Sequence, residues 1–279
     1  MTIDYAQLRG LMQEVYGSSP AEAELEWWFE RNPVGQRILS VVEGEGASAL
    51  SLFRLVVEGE ERLGAFIVHA VTTPAARGRG VFSRLQLENE EKAAEAGASV
   101  VLGFTTDMAT RVLVGWHRWE RLARPRVWAR PRLSRRRAGL RTPPLRAFTD
   151  EDATALAGGP TRLLKDAAYL DWRYRDSPRP YGRVDADAGF AVVGIGRHGG
   201  LAAGAVCELA GGARVLRRAA KAVDARVVLG LPNRDERGAY FAAGFLPTPW
   251  RLHLIGKRLD PDAPLPRDWR LSLGDLDFF

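Results

Sequence analysis

The pattern of apolar and polar positions predicts a helix and three strands in the first quarter of the chain. Residues 21–29 have an acidic, helix-like pattern, which the Asn32-Pro33 dipeptide should end. Residues 37–42, 49–57 and 64–71 are rich in β-branched residues and are separated by glycine turns. These features indicate a short helix followed by an antiparallel meander.

A different pattern follows the third of these strands. Residues 72–80 are rich in glycine and arginine, and apolar positions such as Phe82 and Leu85 then recur at helical spacing as far as Gly97. Residues 98–104 are almost wholly apolar, which is typical of a strand covered on both faces. The pattern therefore predicts a strand–loop–helix–strand unit.

The second half of the chain repeats features of the first half in the same order. An aromatic-x-aromatic segment before a proline, an apolar Val-Val-Leu-Gly strand and a glycine-aromatic pair recur at offsets of 145, 127 and 129 residues. We therefore predict an internal duplication. The expected fold is of the α/β or α+β class, with two modules at residues 1–133 and 148–279 and a Pro/Arg-rich linker at 134–147. Each module is expected to be a mixed, mostly antiparallel sheet flanked by helices.

Composition narrows the class of protein. With 279 residues, 46% apolar and 27% charged, the chain is an ordinary globular sequence of two-domain length, which excludes disorder as its main state. The single cysteine, Cys207, cannot form an internal disulfide and offers no thiolate cluster for a metal. No signal peptide or long apolar segment is evident. We expect a cytoplasmic protein with no metal and no membrane partner.

The net charge of +6 comes from a local run of arginines. Residues 118–146 hold eleven arginines against one acidic residue. The run is interpreted first as a solvated strand face and linker, because residues 126–130 alternate like an exposed strand. Steering of a coenzyme or an acidic acceptor is a second interpretation. Nucleic-acid contact is third, since no known binding module is present, and we expect no nucleic-acid partner.

The segment Arg77-Gly78-Arg79-Gly80 is the strongest candidate for chemistry. Glycines allow positive φ and close approach of a ligand, and backbone amides at a helix N-terminus attract anions. A pyrophosphate is a suitable ligand, and a tight basic turn is the structural alternative. Other phosphate loops do not fit: there is no Gly-x-x-x-x-Gly-Lys-Ser/Thr motif, and Ser83 stands where a dinucleotide fingerprint has its third glycine.

In this context, residues 67–80 and the helix after them resemble the GNAT superfamily of acyl-coenzyme A-dependent N-acyltransferases. Arg77 and Gly80 match its signature, Gln/Arg-x-x-Gly-x-Gly/Ala, whereas Phe82 replaces the small residue that the family prefers next. A second family segment, a strand, an Asn and a helix ending in Tyr-x-x-x-Gly-Phe, is matched by residues 229–245, with Asn233 and Tyr240. The whole chain resembles tandem-GNAT proteins with a degenerate second module.

The resemblance implies acetyl-CoA, or another acyl-CoA, as co-substrate and a primary amine as acceptor, the activity of an N-acetyltransferase. The first module would bind the coenzyme, because the second has no matching loop. The strand edge would guide the pantetheine and the loop amides would hold the pyrophosphate. The coenzyme-binding residues expected on this basis are Val71, Thr72, Thr73, Arg77, Gly78, Arg79, Gly80, Val81, Phe82 and Ser83.

Two residues are candidates for catalysis. His69 is the sole titratable side chain of residues 64–71, and its near-neutral intrinsic pKa suits a base. Alternation would place it with Ile67 and Val71 on one face of the strand, where a satisfied core histidine is the alternative. Tyr240 matches the tyrosine that protonates the thiolate in the family, with core packing as its alternative. Glu60, Glu61 and a chain of water molecules are alternative candidates for the base.

Two further functions remain open at this point. Phe82, and the lack of the family's Asn and Tyr in the first module, are compatible with a non-catalytic acyl-CoA-binding or regulatory protein. A tandem transferase that uses aminoacyl-tRNA would employ the arginines but would leave the phosphate loop without a role. The acceptor, the acyl length and the oligomeric state are not encoded in any motif found.

Overall fold

The computed structural model of the protein describes residues 5–35, 37–132, 139–187, 189–198 and 201–276. The chain forms two compact units, one of Met1–Leu122 with His253–Arg267 and one of Ala123–Leu252 with Asp268–Phe279. The helices of the described residues are α1 Tyr5–Tyr16, α2 Glu22–Glu30, α3 Val81–Glu95, α4 Asp107–Trp116, α5 Asp150–Leu156, α6 Ala167–Leu170, α7 Ala213–Ala222 and α8 Arg237–Ala242. In the part of the chain that the structure describes, no helix is long and apolar enough to cross a bilayer.

The strands complete a mixed α+β fold, as predicted. They are β1 Ile38–Val42, β2 Gly46–Val57, β3 Glu60–Thr72, β4 Val100–Thr105, β5 Glu120–Ala123, β6 Arg126–Pro131, β7 Gly139–Leu140, β8 Arg162–Leu163, β9 Tyr181–Ala186, β10 Gly189–His198, β11 Leu201–Ala210, β12 Val223–Asp224, β13 Val227–Gly230, β14 Leu246–Arg251 and β15 His253–Arg258.

The first unit is built on a sheet with the strand order β1-β2-β3-β4-β15-β5. Strands β1, β2 and β3 form the predicted antiparallel meander, and nearly every residue of β2 is buried. Apolar side chains from the sheet, α3 and α4, including Leu50, Ala65, Ala93, Leu113 and Ile255, form the core of this unit. The sheet is therefore covered by α3, which follows the loop at residues 73–80, and by α4, which follows β4.

Strands β3 and β4 run parallel for a short distance and then separate. Their pairing covers only Gly64–Val100, Ala65–Val101 and Phe66–Leu102, whereas β3 continues to Thr72 and β4 to Thr105. Past Phe66, no strand pairs with this edge of β3 among the described residues of the unit. An open strand edge thus leads directly into the glycine-rich loop.

The second unit repeats this arrangement. Its sheet has the order β9-β10-β11-β13-β6-β14, and β11 runs parallel to β13 only at Gly204–Val228 and Ala205–Leu229. In each unit the splayed strand carries one bulged residue, Val68 in β3 and Cys207 in β11, because its neighbours pair with consecutive residues of the adjacent strand. These shared irregularities support the duplication inferred from the sequence.

The units differ from the linear domains predicted at 1–133 and 148–279. Strand β15 pairs antiparallel with β4 in the first sheet, and β6 pairs antiparallel with β13 in the second. Each half of the chain therefore supplies one strand to the other half's sheet, which a composition shift along the sequence does not reveal. Of the predicted linker 134–147, residues 134–138 lie outside the described residues, and β7 pairs with β12 in the second unit.

Candidate functional site

The loop between β3 and α3 has a backbone that only glycine adopts readily. Gly78 and Gly80 have φ values of 77° and 74°, in the left-handed region. A Cβ atom at either position would meet no atom within 4 Å, so the space next to the loop is open. At the start of the loop, the Thr73 amide donates to the carbonyl of Glu45 over 2.9 Å, which anchors the loop to the β1–β2 turn.

The N-terminus of α3 is free to receive an anion. Gly80 is its N-cap and supplies no side chain, and the first turn has no acidic residue. The amides of Val81, Phe82 and Ser83 have no carbonyl of their own helix to donate to. Together with the positive end of the helix dipole, these donors could hold a phosphate group.

The two arginines of the loop are exposed. Arg79 forms an ion pair of 2.8 Å with Glu45, and because both groups are accessible to solvent the pair contributes little stability. Arg77 lies near Tyr16, whose pKa is raised by burial and lowered in part by the Arg77 charge. Both guanidinium groups add positive charge to the same loop.

Phe82, the residue that departs from the expected signature, turns away from the loop. Its partly buried ring packs against the core cluster that contains Ile38, Leu50 and Ala93. The large side chain therefore fills the interior of the unit rather than the space next to the loop.

The open edge of β3 presents two residues with backbone groups directed away from β2. Because Thr73 donates to Glu45, the antiparallel alternation makes Thr73 and Val71 the residues that bond to β2. Ala70 and Thr72 then direct their N–H and C=O groups towards the opening. Of the predicted residues 71–73, only Thr72 faces it, and Ala70 was not predicted, although counting back by two from Thr72 finds it.

A side chain from α1 already contacts this edge. The hydroxyl of Tyr16 donates to the carbonyl of Ala70 over 2.8 Å. Tyr16 is 57% exposed, so the contact is made at the rim of the opening rather than in its interior. The sequence contained no signal for this residue.

The bulge in β3 places His69 on a different face from the one predicted. His69 pairs with Ala49 and Ile67 pairs with Leu50, and consecutive residues of β2 point to opposite faces. His69 is therefore on the face opposite Ile67, which belongs to the core beneath α3. Its ring instead lies edge-on to Phe29 of α2, with 5.9 Å between the ring centroids.

No protein-family model matches the chain, and no curated protein matches it. Solved structures do match over nearly its whole length. A GCN5-related N-acetyltransferase from Kribbella flavida is 18% identical with a TM-score of 0.59, and the match covers 93% of this chain and 70% of that one. The Eis1 protein of Mycobacterium abscessus is 14% identical with a TM-score of 0.58, over 93% and 73%. A GCN5-related N-acetyltransferase from Anabaena variabilis is 12% identical with a TM-score of 0.62, over 91% and 70%.

The chain has the GNAT fold. At these identities the likeness concerns the fold alone, and it agrees with the family resemblance carried by residues 77–80 and 229–245. Within the first unit, the open edge of β3 leads through the glycine-rich loop to the N-terminus of α3.

The second GNAT-like unit has no comparable loop. Only Gly211 and Gly212 separate β11 from α7, whereas eight residues separate β3 from α3. Such a short connection cannot wrap a pyrophosphate, although the splay and the bulge of the strands are retained.

Glu208 in the second unit occupies the position that His69 has in the first, and it is tightly held. Its carboxylate accepts hydrogen bonds from Lys165 at 2.8 Å, Tyr174 at 2.6 Å and Ser272 at 3.1 Å. Burial raises the pKa of Glu208, and the Lys165 charge opposes that rise. Asp275 also lies 2.7 Å from the Lys165 ammonium, so the one cation balances part of two buried negative charges.

Tyr240 and Asn233 lie beside the same buried cluster. They line a cavity of about 210 Å³ with Glu208 and Lys165. Tyr240 is 2% exposed and packs against Phe245 at 5.1 Å, and burial raises its pKa well above the usual value. The Asn233 amide donates to the Leu271 carbonyl at 3.0 Å, so both residues have structural partners within the second unit.

Proposed function

We propose that the first unit binds acyl-CoA and transfers its acyl group, acetyl in the simplest case, to a primary amine. The observation that carries this proposal is the junction of an open strand edge with an uncapped helix N-terminus. One end of that junction favours an anion, and the other offers the peptide groups of Thr72, which face away from β2. In CoA a pyrophosphate, which suits the helix N-terminus, is joined to a pantetheine chain, whose amides suit the strand edge.

The binding mode follows from the loop and the edge. The pyrophosphate would accept hydrogen bonds from the amides of residues 80–83, with Arg77 and Arg79 adding positive charge. The backbone N–H and C=O of Thr72 would pair with an amide of the pantetheine. Phe82 does not obstruct this arrangement, because its ring packs in the core.

The reaction needs a neutral amine, rather than an ammonium ion, and a polarised thioester carbonyl. The amine nitrogen attacks the thioester carbon, a C–N bond forms, the C–S bond breaks and CoA leaves as a thiolate, which takes up a proton from water. We assign to His69, next to the bulge on the splayed strand, the uptake of the proton that the amine loses. Tyr240 is left out of this step because it is packed against Phe245 in the second unit.

The second unit is proposed to be a scaffold rather than a second transferase. Its connection of two residues leaves no pyrophosphate loop. Glu208, the counterpart of His69 in this unit, accepts hydrogen bonds from three side chains. Both features support a structural role.

Calorimetric titration with acetyl-CoA tests the site directly. Wild-type protein should bind acetyl-CoA with micromolar affinity. Gly80→Glu should bind it at least about tenfold more weakly, because a carboxylate enters the proposed anion site. Gly97→Glu is the matched control, since Gly97 also has a positive φ and open space but lies at the other end of α3. Equal losses in both variants, or no binding by the wild type, would contradict the proposed site.

Release of free CoA with a panel of primary amines tests turnover. A rise in free thiol that depends on the amine would support the transferase. Binding of acetyl-CoA without thiol release for any amine would favour the alternative of a non-catalytic acyl-CoA-binding protein. Salt-dependent binding of tRNA without acetyl-CoA binding would favour the aminoacyl-tRNA alternative.

A further inference from the structure

A row of polar contacts lies along the inner face of α3, directly below the glycine-rich loop. Ser83 and Glu90 are seven residues apart on this helix and so lie on one face. The Oγ atom of Ser83 is 2.8 Å from Nε2 of His117. Glu90 accepts from Nε1 of Trp119 at 2.9 Å and from Nζ of Lys257 at 2.5 Å. These contacts hold the first and third turns of α3 against the rest of the unit.

The segment that supplies His117 and Trp119 has a constrained backbone. Between them lies Arg118, a non-glycine residue with a φ of 60°. The amide of Trp119 donates back to the carbonyl of Leu113 over 3.2 Å, which closes the end of α4. A left-handed arginine persists only where its surroundings determine it, and here both of its neighbours make polar contacts with α3, His117 a partly buried one and Trp119 a buried one.

His117 is well placed to control how the Ser83 hydroxyl is oriented. It is 8% exposed, and the charged groups that act on it are Glu90 of α3 and Lys257 of β15. A phosphate can only accept hydrogen bonds, so Ser83 must give its own proton to a bound phosphate. Nε2 of His117 must then donate to Oγ, a role that either the Nε2–H tautomer or the imidazolium can fill.

We propose that His117 is a positioning residue for the pyrophosphate of the coenzyme. Its Nε2–H donates to Oγ of Ser83 and directs the hydroxyl proton towards the phosphate that the N-terminus of α3 holds. His117 does not touch the ligand and acts through Ser83. This inference rests on the acyl-CoA site proposed above and adds a residue from outside the signature to it.

A double-mutant cycle tests whether the two residues act as one unit. We expect Ser83→Ala and His117→Leu each to weaken CoA binding about tenfold to 100-fold, the effect of one hydrogen bond to a charged group. The double variant should bind no more weakly than the weaker single variant. His117→Gln should stay close to the wild type, because its amide N–H can donate to Oγ. Glu91→Gln, on the exposed side of the same helix, is the control.

Competition experiments separate positioning from a general structural role. The Kd of inorganic pyrophosphate, obtained from its competition with CoA, should rise in His117→Leu by the same factor as in Ser83→Ala, whereas the Kd of pantetheine should be unchanged. If the double variant lost affinity for CoA by the product of the two single factors, His117 would not act through Ser83. Equal losses of affinity for pantetheine and pyrophosphate would also overturn its role. Either result would leave the CoA site in place. Absence of CoA binding by the wild-type protein would overturn the proposed function itself.

Discussion

His69 and Glu208 hold equivalent positions in the two sheets, each one residue after the bulge in the strand that splays from its parallel neighbour. Their surroundings are opposite in character. His69 lies edge-on to Phe29 beside an open strand edge, whereas Glu208 is buried and accepts hydrogen bonds from Lys165, Tyr174 and Ser272. The same backbone geometry thus presents the proposed base, His69, in one unit and a carboxylate held by three side chains in the other.

His69→Gln is expected to lower kcat about 100-fold or more and to leave the Kd for acetyl-CoA unchanged, because a general base acts on the chemical step. Steady-state kinetics with the best amine and calorimetry measure the two quantities. Glu60→Gln and Glu61→Gln serve as comparisons, since these carboxylates are the other candidate bases near β3. A larger loss of kcat in either of them would reassign the base.

Lys165→Met is expected to lower the free energy of unfolding by about 3–5 kcal/mol, because it leaves Glu208 and Asp275 buried without their cation. Urea denaturation followed by tryptophan fluorescence gives this value. Arg214→Met removes a cation from an exposed pair with Asp187 in the same unit and should change the stability by less than about 1 kcal/mol. Similar effects of the two substitutions would show that the buried cluster is not a stabilising network.

Phe82→Ala should destabilise the protein by about 2–3 kcal/mol, since a partly buried ring is removed from the core. The affinity for CoA should not change, because the ring points away from the glycine-rich loop. Thermal unfolding and calorimetry at a temperature far below the transition test both statements. Tighter binding in Phe82→Ala would mean that the ring restricts the loop.

The affinity for dephospho-CoA should increase as the pH falls below neutrality. Burial lowers the pKa of His117 in the free protein, with Glu90 opposing the shift and Lys257 adding to it. A bound pyrophosphate favours the imidazolium and raises that pKa. The extra affinity is therefore fully present below the pKa of the free protein and is lost as the pH rises through the pKa of the complex. Dephospho-CoA is used because its pyrophosphate does not titrate in this range, and the pH dependence should be absent in His117→Gln.

Cys207 should be unreactive towards a disulfide reagent at pH 8 in the folded protein and should react at once in urea. It is completely buried in the splayed strand of the second unit, and burial raises the pKa of its thiol to about 12. The thiolate, which is the reactive form, is therefore nearly absent. Rapid modification of the native protein would show that the second unit opens locally.

The candidate site was largely predictable where it depends on local sequence. The strand–loop–helix–strand unit was recognised from the residues themselves, because glycines with positive φ and a helical repeat are properties of near neighbours. The orientation of the strand edge was not, since it depends on which residues of β3 pair with β2. His117 was also missed, because its contact with Ser83 joins residues 34 positions apart.

The bulge at Val68 illustrates the limit of pattern-based prediction. Strict alternation places His69 with Ile67, but one extra residue in the ladder moves His69 to the opposite face. Nothing in the residues 64–71 marks this position, and the bulge is defined only by the pairing with Ala49 and Leu50. The same holds for Cys207 and Glu208 in the second half.

The sequence alone indicated the meander of β1 to β3, the strand–loop–helix–strand unit with its glycine-rich loop, and the internal repeat, because backbone preferences and hydrophobic periodicity act over a few residues. The tertiary structure decided which strands share a sheet, with β15 beside β4 and β6 beside β13, and which face each side chain of the splayed strands occupies. Those features depend on hydrogen bonds between residues that can lie more than a hundred positions apart, such as His253 and Thr105. Their stability is a property of the assembled sheet and not of any segment of the chain.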